Sequence, residues 1–292
     1  MITSKKFRKA MEEIDTKLQE KNIKIHARPL HAIGEIAKHF DIKDDIPIKI
    51  IDNAPMIFSP EYISTHINNW YEKRYGERLK ADISLGSVAI LIRGTPWEAK
   101  LPVVYGSVRF VIDHNLPKYR KLPSFGKTGE KPIYNVLLAI KDLPDSLADE
   151  LTLDEQQFIF EQIIKSINAL QNLSYYSKAP FINEAYVDLQ SAVSNLVGPH
   201  PHYGMSRWAS LQFTEKIIKS ILAEKKMPYP NTHNLSRLSE ILKENQICNL
   251  NEKDLSKIQC SAGIRYGEES ASLISAMEAH HKSLKITYDL LS

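Results

Sequence analysis

The chain has 292 residues, of which 43% are hydrophobic and 25% charged, and its formal net charge is +3 at pH 7. This composition excludes a disordered or fibrous protein, and the length allows two cores of ordinary size. No apolar run is long enough to span a bilayer, and Cys248 and Cys260 are typical of reduced thiols. We therefore expect a cytoplasmic protein without membrane association. The mildly basic charge allows nucleic acid as a partner without requiring it.

The first 180 residues predict an α+β domain with an antiparallel sheet. Ser59 is expected to cap a helix that begins at Pro60, because serine is a favoured cap and proline suits the first turn. Helices are predicted over residues 4–21, 30–40 and 59–75, and strands over residues 46–51, 87–93, 100–105, 107–112 and 131–140. The turn residues between the three middle strands favour an antiparallel meander, and residues 114–131 are typical of an exposed loop.

From residue 181 onward every periodic segment is helical. A long helix over residues 154–176 precedes this region and ends before Pro180. Further helices are predicted from residue 184 through Ala192 and over residues 206–224, 232–242, 255–265 and 269–290, with Thr232 as a cap. The pattern predicts an α+β domain at 1–180, followed by an all-α, up-and-down four-helix bundle at 181–292.

The strongest of these helices, over residues 206–224, is amphipathic. Trp208, Leu211 and Ile218 share one side and are expected to be buried in the bundle. Glu215 and Lys219 are expected to lie outside that stripe or at its border.

Four short motifs in this region, in this order and spacing, resemble the HEPN superfamily (higher eukaryote and prokaryote nucleotide-binding domains). They are Tyr186 with Asp188-Leu189 and Ala192, then Ala209 with Glu215-Lys216-Ile217-Ile218-Lys219, then His233-Asn234-Leu235, and finally Arg265-Tyr266. The resemblance covers residues 184–290. It implies a four-helix bundle that often dimerises, so a homodimer through the C-terminal helices and a nucleotide or RNA ligand are expected. By analogy it also suggests a prokaryotic defence or toxin–antitoxin system.

HEPN ribonucleases typically carry an arginine followed by four to six residues and a histidine. Here the corresponding positions after Arg265 are occupied by Ser270, Ala271 and Ser272. The one literal match, Arg109 to His114, lies in the β-rich half, where the resemblance does not extend. The sequence therefore disfavours the usual ribonuclease site.

Each candidate site residue has a possible structural role beside its functional one. His200 and His202 lie in a proline-rich link and could act as acid or base, or simply be solvated. Arg207 could bind or stabilise a phosphate. His233 could bind an anion at a helix start, or only pack there. His280 and His281, on the last helix, are expected to be solvated or to join a subunit contact.

Two further residues complete the candidate set. Arg265 could bind phosphate or pair with Glu268 or Glu269, and Tyr266 could stack on a base or anchor a helix end. The ligand-binding candidates are Arg207, His233, Arg265 and Tyr266, and the catalytic candidates are His200, His202, His233, Arg207 and Arg265.

Other signals were tested against their spacing. Gly86-Ser87 lacks the following Asp-x-Asp pair of a nucleotidyltransferase, and Gly126-Lys127-Thr128 lacks the glycine spacing of a P-loop. Residues 70–78 interleave aromatic and basic side chains, as an RNA-binding face does, although a helix end with extended charges is favoured. No metal site and no cofactor are predicted.

The sequence favours a dimeric nucleotide- or RNA-binding protein in which the α+β domain provides specificity. One alternative is a metal-independent ribonuclease that uses His200, His202 or His233 with Arg207 or Arg265. The other is a structural dimerisation module.

Overall fold

The computed structural model describes residues 4–43, 46, 59–80, 84–113 and 131–292. The chain divides into two compact units, Met1–Asp82 and Ile83–Ser292. The predicted strand at 46–51 and the predicted loop at 114–131 lie almost entirely outside the described residues.

The first unit contains three helices, α1 (Ser4–Glu20), α2 (Arg28–His39) and α3 (Pro60–Tyr75). As predicted, Ser59 caps α3, its side chain accepting a hydrogen bond from the backbone of Tyr62. Asp15 is buried and is held by Arg28 Nη1 at 3.2 Å and by the hydroxyl of Tyr75. The apolar faces of the helices meet in one core of Phe7, Ala10, Met11, Ile14, Leu18, Ala32, Ile36, Ile63, Ile67 and Tyr71.

The second unit begins with an antiparallel hairpin of β1 (Ser84–Ile92) and β2 (Thr95–Pro102). Arg93 and Gly94 form its turn with φ of 48° and 79°, the left-handed conformation that two-residue hairpin turns need. The strand predicted over residues 100–105 therefore begins earlier, because Thr95 already pairs with Ile92.

The third predicted strand does not extend this hairpin into a meander. Instead, β3 (Arg109–Val111) pairs in parallel with β4 (Ile133–Asn135). The strand predicted over residues 131–140 is also shorter, because Asn135 caps a 3-10 turn at Val136–Ala139.

Seven helices of the described chain belong to the second unit. Asn234, rather than the predicted Thr232, caps α8 by accepting a hydrogen bond from the backbone of Arg237. The helix predicted over residues 255–265 ends earlier and is followed by a 3-10 turn at Ala262–Tyr266. The helices are α4 (Asp145–Asp149), α5 (Leu153–Tyr175), α6 (Ile182–Val197), α7 (Tyr203–Glu224), α8 (Leu235–Glu244), α9 (Glu252–Ile258) and α10 (Leu273–Leu291).

The long helices pack as a bundle, with α6 against α7, α7 against α10, and α10 against α5. The hairpin covers one side of it, since β1 contacts both α5 and α6. Val88 and Ile90 of β1 share a core with Ile163 of α5 and Phe213 of α7. The predicted fold class is confirmed, since helices and an antiparallel sheet, here of two strands, are followed by a helical C-terminal region. The boundary predicted at residue 180 falls within this core.

Among the described helices, none combines the length and the apolar composition needed to cross a bilayer.

Candidate functional site

One stripe of polar and aromatic side chains runs along α7. Trp208, Gln212, Glu215 and Lys219 follow each other at helical spacing and therefore share a face. Each of them contacts another member of the stripe, His233 or Arg265. We call these six residues, together with Tyr266, which contacts Arg265, the Trp208 cluster.

Glu215 is the centre of the cluster. Its Oε1 accepts a hydrogen bond from Nζ of Lys219 at 2.7 Å, and its Oε2 lies 2.7 Å from Nδ1 of His233. Gln212 Nε2 donates to the same Oε2 at 3.2 Å. Glu215 and Lys219 are only 5% and 8% exposed, so this is a charge pair largely removed from water.

Trp208 joins the two candidate residues that come from outside α7. Its ring lies edge-on to the His233 ring, with centroids 5.3 Å apart. The guanidinium of Arg265 lies 4.4 Å from the Trp208 centroid and 5.0 Å from that of Tyr266, a cation–π arrangement. Tyr266 itself is 73% exposed. The cluster thus presents a cation sandwiched by aromatic rings at the surface.

The loops that carry His233 and Arg265 are fixed to α7 and to each other. The side chain of Gln259 donates to the carbonyl of His233 at 3.2 Å and accepts from the backbone of Leu235 at 2.9 Å. Arg207 donates to the carbonyl of Gln259 at 3.1 Å. Gly204 packs so closely on the 3-10 turn that a Cβ there would lie 2.4 Å from the carbonyl oxygen of Ile264.

A second ion pair links α6 and α7 beside the cluster. Lys216 donates to Asp188, and both side chains are about four-fifths buried. Burial raises the pKa of Asp188, while the hydrogen bond from Lys216 acts in the opposite direction. Asp188 and Lys216 are both part of the motifs singled out in the sequence.

The structure brings together His233, Arg265 and Tyr266 but leaves three predicted residues, His200, His202 and Arg207, outside the Trp208 cluster. His200 is exposed in the link between α6 and α7. His202 caps α7, its Nδ1 accepting a hydrogen bond from the backbone of Met205 at 3.0 Å. Arg207 is engaged with the backbone at the end of α9. These three contacts describe a structural role for His202 and Arg207, and their roles in catalysis or binding stay predictions.

For three residues of the cluster, the burial predicted from the sequence differs from the burial in the structure. Glu215 and Lys219 are buried rather than at the outer border of α7, and Trp208 is only partly buried. The available signal was the spacing of three or four residues between positions 208, 212, 215 and 219, which puts them on one face of α7. Periodicity alone favoured a solvated face, because the partners lie on distant loops.

The expectation of solvated His280 and His281 was wrong. His280 is fully buried, and its Nε2 accepts a hydrogen bond from the backbone of Ala89 in β1 at 3.0 Å. His281 Nε2 lies 3.0 Å from the carbonyl of the same residue. Burial, with a smaller effect from His281, lowers the pKa of His280 to about 3, and burial also lowers the pKa of His281. Both imidazoles therefore tie α10 to the hairpin, and that of His280 is neutral near pH 7.

The chemistry of the Trp208 cluster is that of anion and ring recognition with an oriented histidine. Within the part of the chain that the structure describes, no three His, Cys, Asp or Glu side chains are grouped to hold a metal ion. Arg265 supplies a permanent positive charge, Tyr266 an exposed ring and His233 a side chain that is 57% exposed. These groups suit a ligand with an aromatic ring and a phosphate.

The class defined by this geometry is a helical bundle with a polar cluster at its surface. Comparison with protein-family models matches residues 179–281 to the HEPN domain, which confirms the resemblance in the C-terminal third. The region before residue 179 has no family match. No curated protein and no solved structure matches the chain.

Proposed function

We propose that the Trp208 cluster binds RNA or a nucleotide. The observation that carries the proposal is the stack of Trp208, Arg265 and Tyr266, in which a guanidinium lies against two rings and one ring is exposed. A base can stack on Tyr266 while Arg265 contacts a phosphate. Neither interaction depends on the base sequence of the RNA. The HEPN match supports this kind of ligand by analogy.

Binding of a labelled single-stranded oligouridine tests this proposal. Arg265→Ala and Tyr266→Ala should each weaken binding by about tenfold, as expected for loss of a stacking or phosphate contact. Arg237→Ala is the matched control, because Arg237 is exposed on α8 and pairs with Glu240 instead. Affinity should fall with added salt. Unchanged affinity in both cluster variants would refute the site, and AMP in parallel distinguishes a free nucleotide from a strand.

A second candidate function, metal-independent RNA cleavage, is favoured by one observation. Glu215 holds Nδ1 of His233 and leaves the rest of a half-exposed imidazole available, the arrangement of an oriented acid or base. In EDTA, wild-type protein should then cleave mixed RNA, and His233→Ala and Arg265→Ala should each lower the rate at least about a hundredfold. His31→Ala is the control, since His31 is exposed on α2 of the first unit and is not a candidate site residue. Absence of cleavage by purified wild type refutes this candidate and leaves binding alone.

We also propose that the chain forms a homodimer through its C-terminal helices. The supporting observation is a groove of about 770 Å³ between α5 and α10, rimmed by exposed apolar side chains. Phe158, Ile274 and Tyr288 are 44%, 61% and 42% exposed. Light scattering after size exclusion should give a dimer mass for wild type and a monomer mass for Ile274→Asp. A monomeric wild type across the micromolar range would rule out this proposal.

By analogy with HEPN proteins, a role in a prokaryotic defence or toxin–antitoxin system is proposed, with the first 180 residues providing specificity. Induced expression in a bacterial host should slow growth, and His233→Ala and Arg265→Ala should relieve it. Equal growth of wild type and both variants would favour a structural dimerisation module.

A further inference from the structure

The first unit contains a cavity of about 560 Å³ between α1 and α3, a volume typical of small-ligand sites. It lies in the region without a family match and is separate from the Trp208 cluster. Its walls combine aromatic and cationic side chains. They are Phe7, Arg8 and Glu12 of α1 with Tyr62, His66, Trp70 and Lys73 of α3, besides Ile63, Asn69 and Arg74.

The aromatic wall is a regular row on α3. Tyr62, His66, Trp70 and Arg74 recur every fourth residue and so share one helix face. The Tyr62 and His66 rings are stacked, with centroids 3.8 Å apart and an interplanar angle of 25°. His66 is fixed in this position because its Nδ1 lies 3.1 Å from the carbonyl of Tyr62.

The C-terminal end of this row, Trp70 and Arg74, also has defined contacts. The guanidinium of Arg74 lies 5.1 Å from the Trp70 centroid, and its Nε lies 3.4 Å from a carboxylate oxygen of Asp15. Asp15 is buried, so it anchors Arg74 from inside the unit. Arg74 therefore links the Trp70 ring to this buried carboxylate.

The charge of the cavity is positive. Arg8 and Lys73 are exposed at its rim on opposite helices, whereas the charge of Arg74 is paired with Asp15. Glu12 is the one carboxylate among the lining residues. An anionic group can approach between Arg8 and Lys73 while a planar ring stacks on the aromatic row.

We propose that this cavity binds a nucleotide unit, with its base against His66 and Trp70 and its phosphate between Arg8 and Lys73. Stacking accepts every base, and the two cations come from different helices, so they can contact a phosphate from both sides. The nucleotide is either free or part of a single-stranded RNA. The chemistry of recognition is the same in both cases.

A chain with a single tryptophan reports on this cavity directly. Tryptophan occurs at positions 70, 97 and 208, so Trp97→Phe/Trp208→Phe leaves only Trp70. Saturable quenching of its fluorescence by oligouridine is expected, because a stacked base quenches the indole. UMP in a parallel titration separates the two sources: quenching by both indicates a free-nucleotide site, and quenching by the oligomer alone indicates a strand site.

Charge variants give the matched comparison. Arg8→Ala/Lys73→Ala should weaken the oligouridine affinity that Trp70 quenching measures at least about tenfold, and Glu12→Gln should strengthen this affinity about twofold. Lys17→Ala/Lys21→Ala removes the same charge from the same unit outside the cavity and should change it less than about twofold. Equal weakening in both double variants would reduce the effect to net charge and overturn the proposal.

A second measurement uses the natural chain and does not depend on folding of the variants. Cross-linking of 4-thiouridine RNA to the wild-type protein, followed by peptide mapping, should label residues 62–74. Labelling confined to residues 203–266 would support the Trp208 cluster and refute the cavity. Labelling confined to residues 62–74 would support the cavity and refute the Trp208 cluster. No labelling together with no quenching of Trp70 would refute the cavity.

Discussion

Oε2 of Glu215 lies 2.7 Å from Nδ1 of His233, although the two residues belong to a helix interior and to the loop before the next helix. Glu215 is buried and His233 is exposed, so the carboxylate orients the imidazole from inside the bundle. The same carboxylate holds the buried ammonium of Lys219. Glu215 therefore contributes both to the stability of the bundle and to the candidate site.

Glu215→Gln should lower the free energy of unfolding by about 3 kcal/mol, because it leaves Lys219 buried without a countercharge. Urea unfolding followed by circular dichroism measures this. Glu215→Gln/Lys219→Met should recover most of the loss, since it removes both charges. A double variant no more stable than the single one would contradict this assignment.

The contact between Arg265 and Trp208 should be measurable as a coupling energy. In a double-mutant cycle of Arg265→Met and Trp208→Leu, we expect about 0.5–1 kcal/mol, the range for partly exposed cation–π pairs. Replacing Arg265→Met by Arg237→Met gives the control cycle, because Arg237 pairs with Glu240 on α8. Additive effects in the first cycle would show that the stack contributes no stability.

Stability should depend on pH through His280. Its pKa is about 3 in the folded chain against an ordinary value of 6.5, so the unfolded chain binds the proton first. The stabilisation is complete above about pH 6.5 and is lost as the pH falls toward 3. At about pH 5 the loss amounts to about 2 kcal/mol. Urea unfolding at about pH 7.5 and 5 measures the difference.

His280→Leu is the control for this pH dependence. It removes the titrating group and also the acceptor of the Ala89 hydrogen bond, so the variant should be less stable at about pH 7.5. Its stability should fall less between the two pH values than that of wild type. His281 remains and keeps its own pH dependence. Parallel profiles for both proteins would argue against a neutral buried His280.

Gly204 should resist substitution. A Cβ at this position would meet the carbonyl oxygen of Ile264 at 2.4 Å, and backbone cannot yield easily, so Gly204→Ala should cost about 1–3 kcal/mol. Gly263→Ala is the comparison, because the nearest atom there, at 2.3 Å, is the end of the flexible Glu268 side chain. Thermal unfolding should rank Gly204→Ala clearly below Gly263→Ala, and the reverse order would disprove the close approach.

Much of the secondary structure was predictable because its signals are local. Ser59 and Pro60 mark the start of α3, and apolar spacing marks α1, α5 and α7. The predictions failed where pairing is long-range. Residues 109–111 pair with residues 133–135 in parallel rather than with β2, and no local pattern specifies that partner.

The candidate site was predictable in part for the same reason. His233, Arg265 and Tyr266 were found through short motifs whose order resembles a family. The roles of Glu215 and Lys219 were missed, because a charged residue on a helix is ordinarily solvated and only a distant partner reverses that expectation.

By itself, the sequence determined that the last third is a helical region that resembles the HEPN domain, since periodicity and short motifs are local features of the chain. Only the tertiary structure decided which polar groups meet. Trp208 lies against Arg265, Glu215 holds His233, and His280 binds the backbone of Ala89, each across a distance in sequence that no local rule covers. The physical reason is that burial makes such contacts obligatory, and burial is a property of the packed chain.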